Sequence, residues 1–156
     1  MEANGEYTAS VEREDQQLER IHAYLARSYW AKGITPDKVA ACVGNSLCVG
    51  VFHKGEQVGF ARVVTDRTTF AYLCDVYVLE EHRGKGLASW MMRIIKAHPD
   101  LQGLRRFLLA TRDAHELYSR HGFSAVRRPE SLMEILNPAY FQGPEEPQAP
   151  GPAEHP

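Results

Sequence analysis

The densest chemical content lies in Arg83-Gly84-Lys85-Gly86-Leu87-Ala88-Ser89, where a Val- and Tyr-rich run gives way to a helix-spaced apolar pattern. Glycines at such a junction let the backbone approach a ligand closely and aim several N–H groups at one point. Those donors, the positive end of the helix dipole and the charges of Arg83 and Lys85 suit phosphate oxygens. A pyrophosphate-bearing cofactor fits this arrangement. The segment is not a P-loop, which needs GxxxxGK followed by Ser or Thr. It is not a dinucleotide fingerprint either, because Gly84-Lys85-Gly86-Leu87-Ala88-Ser89 ends in Ser89 and no β-α-β unit precedes it.

The pattern resembles the acyl-CoA loop of the GNAT acetyltransferase superfamily, Arg/Gln-x-x-Gly-x-Gly/Ala after a strand ending in Val. The matching residues are Arg83, Gly86 and Ala88, preceded by Val76-Tyr77-Val78. Downstream, beyond one intervening strand, Tyr118-Ser119-Arg120-His121-Gly122-Phe123 resembles the family's Tyr-x-x-x-Gly-Phe element. The resemblance covers roughly residues 5–140 and implies acetyl transfer from acetyl-CoA to an amine. It implies that the Val76, Tyr77 and Val78 backbone pairs the pantetheine arm like an added strand. The pyrophosphate would rest on the turn formed by Arg83, Gly84, Lys85, Gly86, Leu87, Ala88 and Ser89. A developing oxyanion needs a fixed donor, which the resemblance assigns to the Val78 N–H. It places the Tyr118 phenol near the CoA sulfur, as general acid to the departing thiolate.

The general base is open at this level. Asp75 and Asp113 are candidates because each lies at or near strands expected to line the cleft; Glu80 and His115 are weaker ones. Alternation along the strand puts Asp75 on one face with Leu73 and Tyr77, and Cys74, Val76 and Val78 on the other. A carboxylate inside an apolar strand is costly unless paired. Asp75 therefore either binds or deprotonates an ammonium substrate, or pairs structurally with Arg62 from the neighbouring strand. Many members of the resembled family leave the proton to water. Tyr29 and Trp30 read either as core or as an aromatic wall of the acceptor pocket. His82 reads as facing solvent or phosphate, and Arg105, Arg106, Arg127 and Arg128 as solvated faces, one of which could touch the 3′-phosphate of CoA. The seven histidines show no metal-ligand spacing, so no metal is expected.

These residues need elements to hold them. Leu18, Ile21, Leu25 and Tyr29 recur at helical spacing, with Asp15 as cap and Gly33 as end. A shorter helix follows, with Thr35 at the N-cap, Pro36 at the first position, Val39 and Val43 inward, and Gly44-Asn45 as stop. Three strands come next, around LCVGVF, VGFARVV and FAYLCDVYVL, joined at Lys54-Gly55 and Asp66-Arg67 as an antiparallel meander. Leu87, Trp90, Met91, Ile94 and Ile95 mark an amphipathic helix from about Gly84 to His98, ending before Pro99. RFLLAT reads as a fully buried strand. A helix over about Ala114–Arg120 follows, with Asp113 as its cap and Gly122 as its stop. Strands around Phe123–Arg127 and Leu132–Ile135 would close the domain. The expectation is an α/β fold: one GNAT-type domain over 1–141, a mixed central sheet with a β-meander, splayed strands and flanking helices.

Composition sets the outer bounds. The chain has 156 residues, 44% hydrophobic and 24% charged, which suits one globular domain able to bury its own core. A formal charge of −2 argues against a nucleic-acid partner, and no apolar run is long enough to span a membrane. Cys42, Cys48 and Cys74 form no CxxC pair, and the opening residues carry no secretory pattern, so the expected location is cytoplasmic. The stretch 142–156 is Pro-rich, lacks large aliphatics, and reads as a disordered tail. The functional expectation is an acetyl-CoA-dependent N-acetyltransferase acting on a primary amine. A small-molecule acceptor is favoured, a peptide or protein amine stays open, and a homodimer is common in the resembled family. The alternatives are a longer acyl-CoA as donor, or a non-catalytic acyl-CoA-binding or sensor module.

Overall fold

A computed structural model describes residues 1–140. The 142–156 stretch expected to be disordered lies outside them. Six strands form one open mixed sheet in chain order: β1 (Glu2–Asn4), β2 (Tyr7–Ser10), β3 (Leu47–His53), β4 (Glu56–Thr65), β5 (Phe70–Val78) and β6 (Arg106–Leu109). β1 to β5 are antiparallel, and β6 returns parallel to β5. A parallel return needs a crossover, here α3 (Leu87–Ala97). α1 (Leu18–Leu25) and α2 (Pro36–Gly44) cover the opposite face.

Two cores follow from this layering. On the α3 face, Trp90, Met91, Met92 and Ile95 pack on Val49, Val51, Val63, Leu73, Val76 and Val78. On the other face, Ile21, Tyr24, Leu25, Val39 and Val43 pack on Cys48, Phe60 and Tyr77. Deep burial of these apolar side chains is the main term favouring the fold.

The meander, the α2 cap and stop, and the end of α3 before Pro99 follow the sequence. Thr35 accepts from the Lys38 N–H at 3.4 Å with Pro36 in the first turn. Several local expectations are corrected. The first ten residues form a hairpin that the sequence reading passed over. Gly5 sits at φ 61 in the two-residue loop between Asn4 and Tyr7, the first-position glycine of a type II′ turn. Asp15 does not cap α1; it accepts from Ser10 Oγ at 2.5 Å, while the Gln17 N–H that begins the helix donates to Gln57 Oε1 at 2.7 Å. α1 stops at Leu25 rather than near Gly33, because Ser28 Oγ donates to the Leu25 carbonyl (2.7 Å) and accepts from the Ala31 N–H (3.1 Å). That turn carries Tyr29 and Trp30.

The C-terminal part departs most. β6 is partly exposed rather than fully buried, since no described strand lies beyond it. α4 spans His115–Ser119, and Thr111 Oγ1, not Asp113, accepts from the Ala114 N–H. Neither Phe123–Arg127 nor Leu132–Ile135 forms a strand. Met133 and Ile135 are fully exposed, so the apolar alternation there finds nothing among the described residues to pack against.

Candidate active site

β5 is where the sheet opens. Its ladder with β6 extends only from Phe70↔Arg106 to Leu73↔Leu109, while β5 itself continues to Val78. This is the expected splay. Pairing with β4 also slips between Phe60 and Arg62, and Asp75 adopts φ 53. A positive φ at a non-glycine residue is uncommon, and aspartate is among the types that tolerate it. The inserted residue shifts the alternation. Leu73, Val76 and Val78 therefore share the α3 core while Tyr77 enters the α1/α2 core, so Asp75 does not sit on one face with both Leu73 and Tyr77.

The Asp75 carboxylate is 9% exposed and both its oxygens are engaged. Arg62 Nε donates to Oδ2 at 2.7 Å and Trp30 Nε1 to Oδ1 at 2.9 Å, while Arg62 Nη1 donates to Ser46 Oγ at 3.1 Å. Of the two readings open for Asp75, the pair with Arg62 is the one formed. The carboxylate raises the guanidinium pKa further even against burial. Trp30, pinned on Asp75, meets Tyr29 edge-on at 5.1 Å, and Tyr24 stacks on Tyr77 at 4.0 Å. The post-α1 turn is thus tied to the β5 bulge by a hydrogen bond, and α1 to β5 by ring stacking. The thiols of Cys48 and Cys74, on either side of Arg62, are pushed up to about 12 by burial.

After β5 comes the glycine turn. Gly84 and Gly86 adopt φ 75 and 73, and nothing lies within 4 Å of where a side chain would stand on either. Gly86 caps α3 from the left-handed region with no side-chain hydrogen bond. Leu87 and Ala88 are buried anchors beneath the turn, Lys85 is exposed, and Ser89 Oγ meets His121 Nε2 at 3.0 Å. Positive φ, open space and an uncapped helix start fit a bound pyrophosphate.

Arg83 is also engaged within the protein. Its Nε donates to the Val78 carbonyl (2.9 Å) and Nη2 to the Tyr24 hydroxyl (2.9 Å), so it braces the turn against β5 and α1. His82 is half-buried, and its Nδ1 meets the Tyr7 hydroxyl at 2.8 Å. Glu80 is committed to Arg27 at 2.8 Å, which holds its carboxyl below the usual range. His115 is exposed, and Arg105 and Arg106 line an outer groove with Phe70.

Tyr118 on α4 is 3% exposed. Burial, with Tyr29 and Asp113 nearby, pushes its phenol above the ordinary value. The sequence reading left Arg112 out entirely, yet its guanidinium lies 3.7 Å over the Tyr29 ring. Its position beside Asp113, directly after a strand, was the available signal. The structure thus gathers the β5 bulge, the Tyr29–Trp30 turn, the Arg112–Asp113 loop and Tyr118. Among the described residues, no group of three or more His, Cys, Asp or Glu is arranged to hold a metal, and no helix is long and apolar enough to cross a membrane.

Comparisons with known proteins bear on this geometry. A crystal structure from Xanthomonas campestris pv. campestris, designated a GNAT-family acetyltransferase, is 47% identical with a TM-score of 0.85, covering 88% of this chain and 97% of that one. A Clostridium acetobutylicum structure holding acetyl-CoA shares the fold at TM-score 0.60 and 13% identity, over 88% of this chain and 98% of that one. A curated Gibberella zeae protein with an acetyltransferase name is 31% identical over 90% of this chain and 91% of its own length. The family model for GNAT acetyltransferases matches residues 13–123, a span that holds the β5 bulge, the glycine turn and Tyr118. On sequence and fold together, the chain belongs to the GNAT acetyltransferase family.

Proposed function

We propose that the protein transfers an acetyl group from acetyl-CoA to the primary amine of a small molecule, by direct attack within a ternary complex. The observation that carries this reading is the end of β5–β6 pairing at Leu73↔Leu109, just before the Asp75 bulge and the Gly84–Gly86 turn. Acetyl-CoA, when bound, supplies an acyl carbon activated as a thioester and a thiol as leaving group. The backbone of Val76, Tyr77 and Val78 would hold the pantetheine arm as an edge strand holds a partner. The amides of the Gly84–Ser89 turn would hold the pyrophosphate, with Lys85 alongside and Arg83 keeping the turn in place.

Within this reading the Val78 N–H donates to the carbonyl oxygen as negative charge grows there. The amine nitrogen forms its bond to the acyl carbon, the carbon–sulfur bond breaks, and the nitrogen gives its proton to water. Tyr118, held protonated by burial, donates its phenolic hydrogen to the departing sulfur. Asp75 acts as a positioning residue, since Arg62 and Trp30 already occupy both of its oxygens.

Calorimetry with CoA and thiol release over an amine panel test the reading. Tyr118→Phe should lower kcat by about 10²-fold with CoA affinity unchanged. Unaltered turnover removes the phenol from the mechanism, and saturable CoA binding without turnover of any amine replaces the enzyme with a binding module.

A further inference from the structure

One cluster beside Tyr118 is not used by this mechanism. In the loop between β6 and α4, Thr111 Oγ1 accepts from the Ala114 N–H at 3.0 Å and folds Arg112 and Asp113 into a tight turn. Both Asp113 carboxylate oxygens are buried without a hydrogen-bond partner among the described residues, and so is Arg112 Nε. The two are neighbours in sequence yet do not pair with each other. Arg112 is held over the Tyr29 ring, and Asp113 acts on the Tyr118 phenol. Buried charge without a partner is among the costliest arrangements in a protein. On consecutive residues, a carboxylate lacking donors and a guanidinium N–H lacking an acceptor are complementary to the two ends of a dipole.

We propose that the acceptor is a short dipolar amine, its ammonium received by Asp113 and its carboxylate or phosphate by Arg112, with Tyr29 as the wall between them. This rests on the acetyltransferase reading and narrows it to a substrate class. The guanidinium sits over the Tyr29 ring with its Nε lacking an acceptor, and a planar guanidinium suits an oxyanion in a way that Lys does not. Asp113 beside Tyr118 places the amine near the phenol assigned to the sulfur.

The test uses the full chain and matched amines: an amino acid against its amide, and phosphoethanolamine against ethanolamine. Dipolar amines should exceed their uncharged-tail counterparts by at least about tenfold in kcat/KM. Whichever pair shows the larger ratio identifies carboxylate or phosphate as the anion. Arg112→Gln should shrink that ratio toward one, and Asp113→Asn should weaken every amine while leaving CoA affinity by calorimetry intact. Asp113→Asn should also raise the melting temperature of the free protein, because it removes an uncompensated buried charge, whereas a purely structural aspartate would lower it. A melting-temperature rise on adding the amino acid, absent with its amide, reads the pocket without any turnover. Equal kcat/KM for both members of each pair, or a stability loss in Asp113→Asn, overturns the proposal while leaving acetyl transfer standing. Failure of CoA to bind overturns the acetyltransferase reading instead.

Discussion

Replacing Arg62 with Met would test how the site is held. In the native protein the Asp75 carboxylate accepts from Arg62 at 2.7 Å and Trp30 at 2.9 Å, and Arg62 also reaches Ser46 at 3.1 Å. Methionine keeps the bulk but leaves a carboxylate on one donor, in a place where the two side chains are 16% and 9% exposed. Breaking a buried pair in this way costs about 3–5 kcal/mol, against roughly 0.2–1 kcal/mol for an exposed pair. For a domain near 150 residues, each kcal/mol moves Tm by about 2–4 °C, so Tm should fall by about 6–20 °C. Urea denaturation monitored by Trp fluorescence gives the free energy directly, and the slope m should stay constant. Adding Asp75→Asn to Arg62→Met should recover at least about half of the loss, since no charge is then stranded and Asn tolerates the positive φ. A loss below about 1 kcal/mol would place the pair in the solvated class and refute the view that it fixes the bulge.

Gly86→Asp should weaken CoA binding by about 100-fold in calorimetry, because a side chain at φ 73 is strained and its carboxylate would face the pyrophosphate; retained affinity would mean the turn is misassigned. With the Cys48 and Cys74 thiols pushed up to about 12 by burial, both should resist a disulfide reagent near pH about 8 until the chain is denatured, Cys74 despite a partial exposure like that of Cys42, since thiolate is the reactive form. Burial and the charges of Lys96, Arg93 and Arg120 hold the His121 pKa below its ordinary 6.5. The unfolded chain then binds that proton more readily, so this contribution is full above pH 6.5, declines as pH drops through it, and levels off below the folded pKa. His121→Gln should flatten that slope, and an NMR titration midpoint at or above 6.5 would contradict the reasoning.

Elements with strong local signals were readable in advance. Thr35-Pro36, the helix-spaced Leu87 to Ile95, and Pro99 fix their helices by capping, periodicity and proline geometry. The glycine turn was legible as a junction between strand and helix, where Gly84 and Gly86 both take the left-handed region. Asn4-Gly5-Glu6 carried a hairpin signal that two polar flanks obscured. The Asp75 bulge was not legible, because a positive φ there is set by Arg62 and Trp30, partners distant in sequence. The contacts of Arg83 with the Val78 carbonyl and Tyr24 were likewise not legible, since its charge and place in the motif point only to a phosphate. At Leu132–Ile135 the alternation was real, but alternation alone does not provide a neighbouring strand.

The amino-terminal hairpin has a practical side. Glu2 Oε1 takes the Trp90 indole N–H at 2.7 Å and the Tyr7 hydroxyl meets His82 at 2.8 Å, so the hairpin grips both shoulders of the glycine turn, one on α3 and one just ahead of it. A fusion partner or affinity handle attached at Met1 would stand one residue from the Glu2 contact, so the placement of such a handle bears directly on how α3 is held.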